Sequence, residues 1–164
     1  MIKIISSIII LFFLILPVNS EVINEIKVIN NDRISKETIQ IFSKIRVGEN
    51  YDENDLNKIL KEIYDTNFFS SVSLEIKDGV LIIDVQENKI IQNITVEGIK
   101  RKELVEDLKS RISSKDKNPF VENNIKNDVL LIKKLLKSSG YYFSEVKTKI
   151  IENNNNTIDI IFDL

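Results

Sequence analysis

The chain has 164 residues, 43% hydrophobic and 29% charged, with a formal net charge of −2. Cys, His, Trp and Ala are all absent. That excludes disulfide frameworks, zinc fingers, thiol nucleophiles and any Ser-His-Asp triad, and it leaves only oxygen ligands for a metal. The balanced charge argues against a nucleic-acid partner, and no cofactor motif or set of acid, base and nucleophile can be assembled, so the chain reads as a non-enzyme without a cofactor.

The first twenty residues differ from the rest. Met1-Ile2-Lys3 is a positive start, Ile4 to Leu16 is apolar apart from Ser6 and Ser7, and Pro17-Val18-Asn19-Ser20 follows. A basic start, an apolar run of roughly 7–15 residues and a small-residue site describe a secretory signal peptide over residues 1–20. Cleavage is expected between Ser20 and Glu21, giving an exported chain. No Cys follows the cut, so a lipoprotein is not expected.

Behind the leader one pattern occurs twice. Ile23-Asn24-Glu25-Ile26-Lys27-Val28 and Ile91-Gln92-Asn93-Ile94-Thr95-Val96 both alternate as half-buried strands do. A turn follows each, Ile29-Asn30-Asn31-Asp32 or Glu97-Gly98, with residues that tolerate positive φ. A helix comes next. In the first copy Ser35 can cap it, and Ile34, Thr38, Ile41, Phe42 and Ile45 are expected on its buried face. In the second copy Leu104, Val105, Leu108 and Ile112 play that part. Each helix leads to a loop in which a turn former precedes an aromatic, ending at Tyr51 or Phe120.

A second helix then opens on acidic residues, which suit the helix dipole: Asp52-Glu53-Asn54-Asp55, and Glu122. Its apolar stripe is Leu56, Ile59, Leu60, Ile63 and Tyr64 in one copy, and Ile125, Val129, Ile132 and Leu136 in the other. It stops at Asn67 or Gly140, residues suited to a left-handed C-cap. The aromatics that follow, Phe68-Phe69 and Tyr141-Tyr142-Phe143, are expected to close the cores, a partner-facing groove being the alternative. A hairpin completes each copy. Strands Val72–Lys77 and Leu81–Val85 are joined at Asp78-Gly79, and Val146–Glu152 and Thr157–Leu164 at Asn153 to Asn156. Lys133-Lys134 and Lys100-Arg101-Lys102 read as solvated faces, a lipid headgroup contact being the alternative. The expected architecture is α+β: two tandem β-α-α-β-β domains over residues 21–89 and 90–164, each a three-stranded sheet with two helices on one face.

The order and punctuation of these elements resemble the POTRA repeat, the periplasmic module of the Omp85 family of outer-membrane barrel proteins. The resemblance rests on Ile26-x-Val28, Gly48-x-x-Tyr51, Tyr64-x-Thr66-Asn67-x-Phe69-x-x-Val72 and Leu81-x-Ile83-x-Val85-x-Glu87. In the second copy it rests on Ile94-x-Val96-x-Gly98, Pro119-Phe120 and Gly140-Tyr141-Tyr142. Asn67 stands where the family usually has Gly, and Asn30-Asn31 replaces a usual Glu-Gly, both tolerant of the same backbone. The nearest likeness within the family is the N-terminal region of the outer-membrane assembly factor.

The resemblance implies a binding scaffold in the periplasm. It would receive unfolded outer-membrane protein precursors and dock accessory assembly lipoproteins or chaperones. It implies β-augmentation at the strand after the second helix: Val72, Ser73, Leu74, Glu75, Ile76 and Lys77, or Val146, Lys147, Thr148, Lys149, Ile150 and Ile151. Membrane contact would come through a C-terminal barrel absent from this chain, so the expectation is that Leu164 is a cut within a longer protein. The alternatives are the POTRA region of a two-partner secretion transporter, or a free-standing or FtsQ-like periplasmic interaction module.

Overall fold

The computed structural model describes residues 20–164. The expected leader lies outside the described residues except for Ser20, which is exposed, and Glu21 opens the first strand. Among the described residues no helix is long and apolar enough to cross a membrane. They divide into two compact units that follow the two repeats, except that residues 64–71 of the first repeat group with the second unit.

In the first unit a short strand, β1 (Glu21–Val22), precedes β2 (Glu25–Ile29). Helix α1 (Lys36–Ser43) starts at Ser35, whose Oγ accepts the Thr38 amide at 3.2 Å. It ends at Lys44, held at φ 54° with its N–H donated to Gln40 O and Ile41 O. The buried face differs from the sequence expectation. Ile39 and Ser43 are buried, whereas Ile41 is 72% exposed. Eight residues make only about two turns, and the left-handed stop at Lys44 sends Ile45 into the core from beyond the helix rather than along its face.

Strand β3 (Asn50–Tyr51) pairs antiparallel with β1, a ribbon the sequence reading did not contain. Helix α2 (Glu53–Asp65) has a reciprocal acidic cap: Asp55 N donates to Asp52 Oδ1 at 2.9 Å and Asp52 N to Asp55 Oδ2 at 3.4 Å. Ile59 and Ile63 are buried, and Tyr64 at the end of the expected stripe is exposed. Asn67 takes φ 61°, as the C-cap reading required. Strands β4 (Phe69–Lys77) and β5 (Val80–Glu87) meet at Asp78 (φ 52°) and Gly79 (φ 76°). Two successive positive φ values match the right-handed twist of a hairpin. β5 lies between β4 and β2, and it runs parallel to β2.

The second unit repeats this order. Strand β6 (Ile90–Glu97) leads to α3 (Lys102–Arg111) and α4 (Glu122–Ser138), then β7 (Lys147–Glu152) and β8 (Thr157–Asp163). β8 is central, parallel to β6 and antiparallel to β7. Ile91, Ile94, Leu104, Leu108, Ile132, Leu136, Ile158, Ile160 and Phe162 form one core. α4 is four residues longer than α2, about one turn.

The aromatic junctions part company. Phe69 opens β4 and is buried, but Tyr141, Tyr142 and Phe143 are all exposed, against the expectation that they close the core. β4 begins two residues after its helix cap, whereas β7 begins only at Lys147, so Val146 fills the place in the core instead.

Gly98 shows why its position excludes a side chain. Its φ is +90°, and a Cβ there would collide with the carbonyl oxygen of Leu164. Gly98→Ala combines left-handed strain with a backbone clash, so it should cost about 2 kcal/mol. The check is the midpoint of chemical denaturation, with Gly140→Ala as the control: it carries the same φ class but meets nothing within 4 Å.

Candidate functional site

A three-stranded sheet has two edges, and in each unit the sequence-expected strand is one of them: β4 in the first, β7 in the second. The other edges are β2 and β6. What distinguishes the two edges of the second sheet is a backbone latch on β6 made by the loop between the helices.

In the second unit the loop runs alongside β6. Lys117 N donates to Ile91 O at 2.7 Å, and Ile91 N donates to Asn118 O at 2.9 Å. Phe120 N donates to Lys89 O at 2.8 Å, and Ile94 N donates to Asp116 Oδ1 at 2.7 Å. The outward backbone of β6 is thereby occupied from Lys89 to Ile94. The first unit makes the same pair of bonds one repeat earlier, but at Ile23, which lies between β1 and β2, so the outward backbone of β2 itself is not covered by them. Gly48 N donates to Ile23 O at 2.7 Å, and Ile23 N donates to Glu49 O at 3.1 Å. Both latches turn on a positive φ, 92° at Gly48 and 68° at Lys117.

The second latch is anchored by a group the sequence reading missed. Asp128 on α4 is buried among apolar neighbours. Its Oδ1 accepts Ser113 N at 2.7 Å and Ser113 Oγ at 2.8 Å, and its Oδ2 accepts Ser114 N at 2.9 Å. A buried carboxyl group is tolerable only when its acceptors are filled, and here the loop fills them. Asp128 thus fixes the start of the segment that closes β6. The signal was present as an acidic residue at i+3 from Ile125 and i−4 from Ile132, on the core side of the helix.

β7 has the opposite character. Its only strand partner among the described residues is β8. Thr148 opposite Phe162, Ile150 opposite Ile160 and Glu152 opposite Ile158 stand on the helix side, while Lys147, Lys149 and Ile151 stand on the other. Ile150 is 47% and Ile151 48% exposed, so apolar surface is uncovered on both faces. Lys149 Nζ lies 2.8 Å from Asp163 Oδ2 on β8. The pairing raises the Lys149 ammonium above its usual value and lowers the Asp163 carboxyl below its own. An exposed pair of this kind orients side chains more than it stabilises.

Not every expected site residue lies on the edge in the same way. Val72 and Val146 are buried core residues, and Val146 precedes β7 rather than belonging to it. Leu74 and Ile76 of β4 are half-buried, while Ser73, Glu75 and Lys77 are exposed on its other face. β4 is therefore the better-covered edge. The acidic run at Asp52, Glu53 and Asp55 serves as the cap of α2, and no cluster of metal-holding side chains occurs among the described residues.

A family model described as POTRA, surface antigen variable number repeat, matches residues 21–88 and again residues 89–164. The chain belongs to the POTRA family. Its sequence is similar to the outer membrane protein assembly factor BamA of Neorickettsia risticii, 26% identical over 136 residues. These are 83% of this chain and 18% of that protein. The POTRA pair thus spans less than a fifth of that relative's length. Among solved structures it is similar to the N-terminal domain of Omp85 from Thermosynechococcus elongatus, with a TM-score of 0.58 at 14% identity, covering 88% of this chain and 63% of that one. It is also similar to POTRA1-2 of Omp85 from Anabaena, with a TM-score of 0.53 at 13% identity, covering 89% of this chain and 96% of that one. At such identities these two likenesses show the fold.

Asp128→Ala removes two acceptor oxygens and three hydrogen bonds at once and strands the Ser113 and Ser114 donors. The expected cost is about 3 kcal/mol, and the Ile94 amide should lose protection as the latch loosens. Denaturant titration and amide hydrogen exchange of the purified protein check both effects. An unchanged Ile94 rate would separate Asp128 from the latch.

Proposed function

We propose that this chain is the periplasmic POTRA portion of an outer-membrane protein assembly factor and that it holds unfolded β-barrel precursors by β-augmentation. The same repeats dock accessory lipoproteins or chaperones, and attachment to the outer membrane comes through a barrel outside this chain. The role is non-enzymatic. The similarity to BamA over most of the chain supports the assignment. The observation that carries the binding mode is the unequal treatment of the two edges: β6 is latched while β7 is left with a free side and uncovered isoleucines.

The chemistry suits the task. An added strand gains its hydrogen bonds from the backbone, so many sequences can be received. Barrel strands alternate apolar and polar residues, and such a segment on β7 would set its apolar side chains beside Ile150. Ordering a flexible segment costs free energy, which keeps the complex weak enough to release its cargo. Lys147 and Lys149 do second duty, since charges on an edge discourage pairing with another copy. β4 is the lesser site, with Ser73 and Glu75 facing out and its apolar face buried at Val72 and half-buried at Leu74 and Ile76.

Photo-crosslinking tests the reading. A photoreactive residue at Ile151 should capture a urea-unfolded outer-membrane β-barrel protein, one at Ser73 should capture it less, and one at Gln92 on latched β6 should not capture it. Equal capture at Ile151 and Gln92 would refute edge selection.

A further inference from the structure

The two repeats carry opposite charge. Residues 21–88 hold eight basic and fourteen acidic side chains, and residues 89–164 hold fourteen basic and eleven acidic. A chain of net charge −2 therefore conceals a first repeat of −6 and a second of +3. Such asymmetry between halves points to a charged surface as a partner for one of them.

The excess is concentrated. Residues 98–102 contain Lys100, Arg101 and Lys102 with no acid, and residues 129–144 contain Lys133, Lys134 and Lys137 with no acid. The fold brings these two stretches to one end of the second unit. The Arg101 guanidinium carbon stands 6.0 Å from the centre of the Tyr141 ring. Tyr141 N in turn donates to Leu136 O at the end of α4. Among the described residues none of these five lysines forms an ion pair, nor does Arg101. Glu145 and Asp163, the acids on the cleft beside Phe143, are matched by Lys147 at 3.4 Å and Lys149 at 2.8 Å.

Large apolar side chains are interleaved with the cations. Leu130 is 65% exposed and lies on the same helical face as Lys133, Lys134 and Lys137, by its spacing of three, four and seven residues. Tyr142 is 68% and Phe143 99% exposed. The cap position of α3 departs from the usual residue type. A helix N-terminus favours acidic or hydroxyl residues, as Ser35 and Glu37 supply for α1. At α3 the first turn likewise holds an acid, Glu103, but the cap position is Arg101, flanked by Lys100 and Lys102, and its side chain makes no capping bond. Arg101 is turned instead onto the Tyr141 ring, which sets the three cations beside the exposed aromatic junction.

We infer that this end of the second repeat docks on an anionic phospholipid bilayer, with Phe143, Tyr142 and Leu130 entering the headgroup–acyl boundary. The basic groups of Lys100, Arg101, Lys102, Lys133, Lys134 and Lys137 would lie over the lipid phosphates. Aromatic and aliphatic residues set among lysines are what such an interface accepts. The acidic first repeat would be repelled by the same surface. This site is distinct from the β7 edge, and its failure would leave the strand-adding role untouched.

The absence of Trp supplies the test. Phe143→Trp in residues 21–164, which hold both complete repeats, places a single reporter at a fully exposed position, and Ile41→Trp in the first repeat is the control. With phosphatidylcholine vesicles containing phosphatidylglycerol, the indole emission of the F143W protein should shift to the blue, and with phosphatidylcholine alone it should not. The control should stay unshifted in both. Lys133→Gln, Lys134→Gln and Lys137→Gln combined should weaken partitioning by about a hundredfold, at roughly a fivefold factor for each charge. Salt at about 0.5 M should act the same way. An F143W emission that ignores anionic vesicles overturns the inference. So does a shift that needs no vesicles and grows with protein concentration, which assigns the patch to a second copy. A shift produced by an unfolded precursor but not by vesicles overturns it as well.

Discussion

Two backbone hydrogen bonds to one isoleucine organise each repeat. At Ile23, just before β2, and at Ile91, within β6, the N–H and C=O both pair with the loop that joins the helices. Each bond is worth only about 1 kcal/mol net, but an unpaired group there would cost more. The loop can make the pair only if it turns through positive φ, which Gly48 does freely and Lys117 does under constraint. In the second repeat the seated loop occupies the β6 edge as far as Ile94. The opposite edge is then the place where a further strand can join.

The second repeat has elaborated this plan. Asp128 ties the head of the loop into the core, and Asp116 adds a side-chain acceptor to the latch. α4 is a turn longer than its counterpart, and its extra length leads into an exposed aromatic junction where the first repeat buries Phe69. The first repeat keeps a conventional Ser35 cap, while the second gives up that cap for three basic residues. The second repeat thus carries the latched β6, the exposed aromatic junction and the positive charge.

Much of this was legible in the amino-acid order. Alternation marked the strands, Asp78-Gly79 and Asn67 marked turns that do take positive φ, and the repetition of the whole pattern marked two units. What escaped came from tertiary context. Helix α1 is too short for periodicity to fix its face, so Ile41 was assigned inward and lies outward. Asp128 falls on the apolar side of α4, where a carboxyl group reads as an error unless its loop donors are known. Tyr141 to Phe143 looked like core because their first-repeat counterparts are. The delay before β7, which leaves them outside, depends on where the strand starts pairing. Of the expected edge residues, Val72 and Val146 proved to be core, because an edge strand still owes one face to the helices.

The central claim is that the latch selects the edge, and amide hydrogen exchange with and without an unfolded β-barrel precursor tests it most directly. The account predicts that the Ile91 and Ile94 amides are slow to exchange in the free protein and unchanged by the precursor. Amides of β7 that do not pair with β8 should exchange quickly alone and slow down when the precursor is present. New protection on β6, or on neither edge, would contradict it.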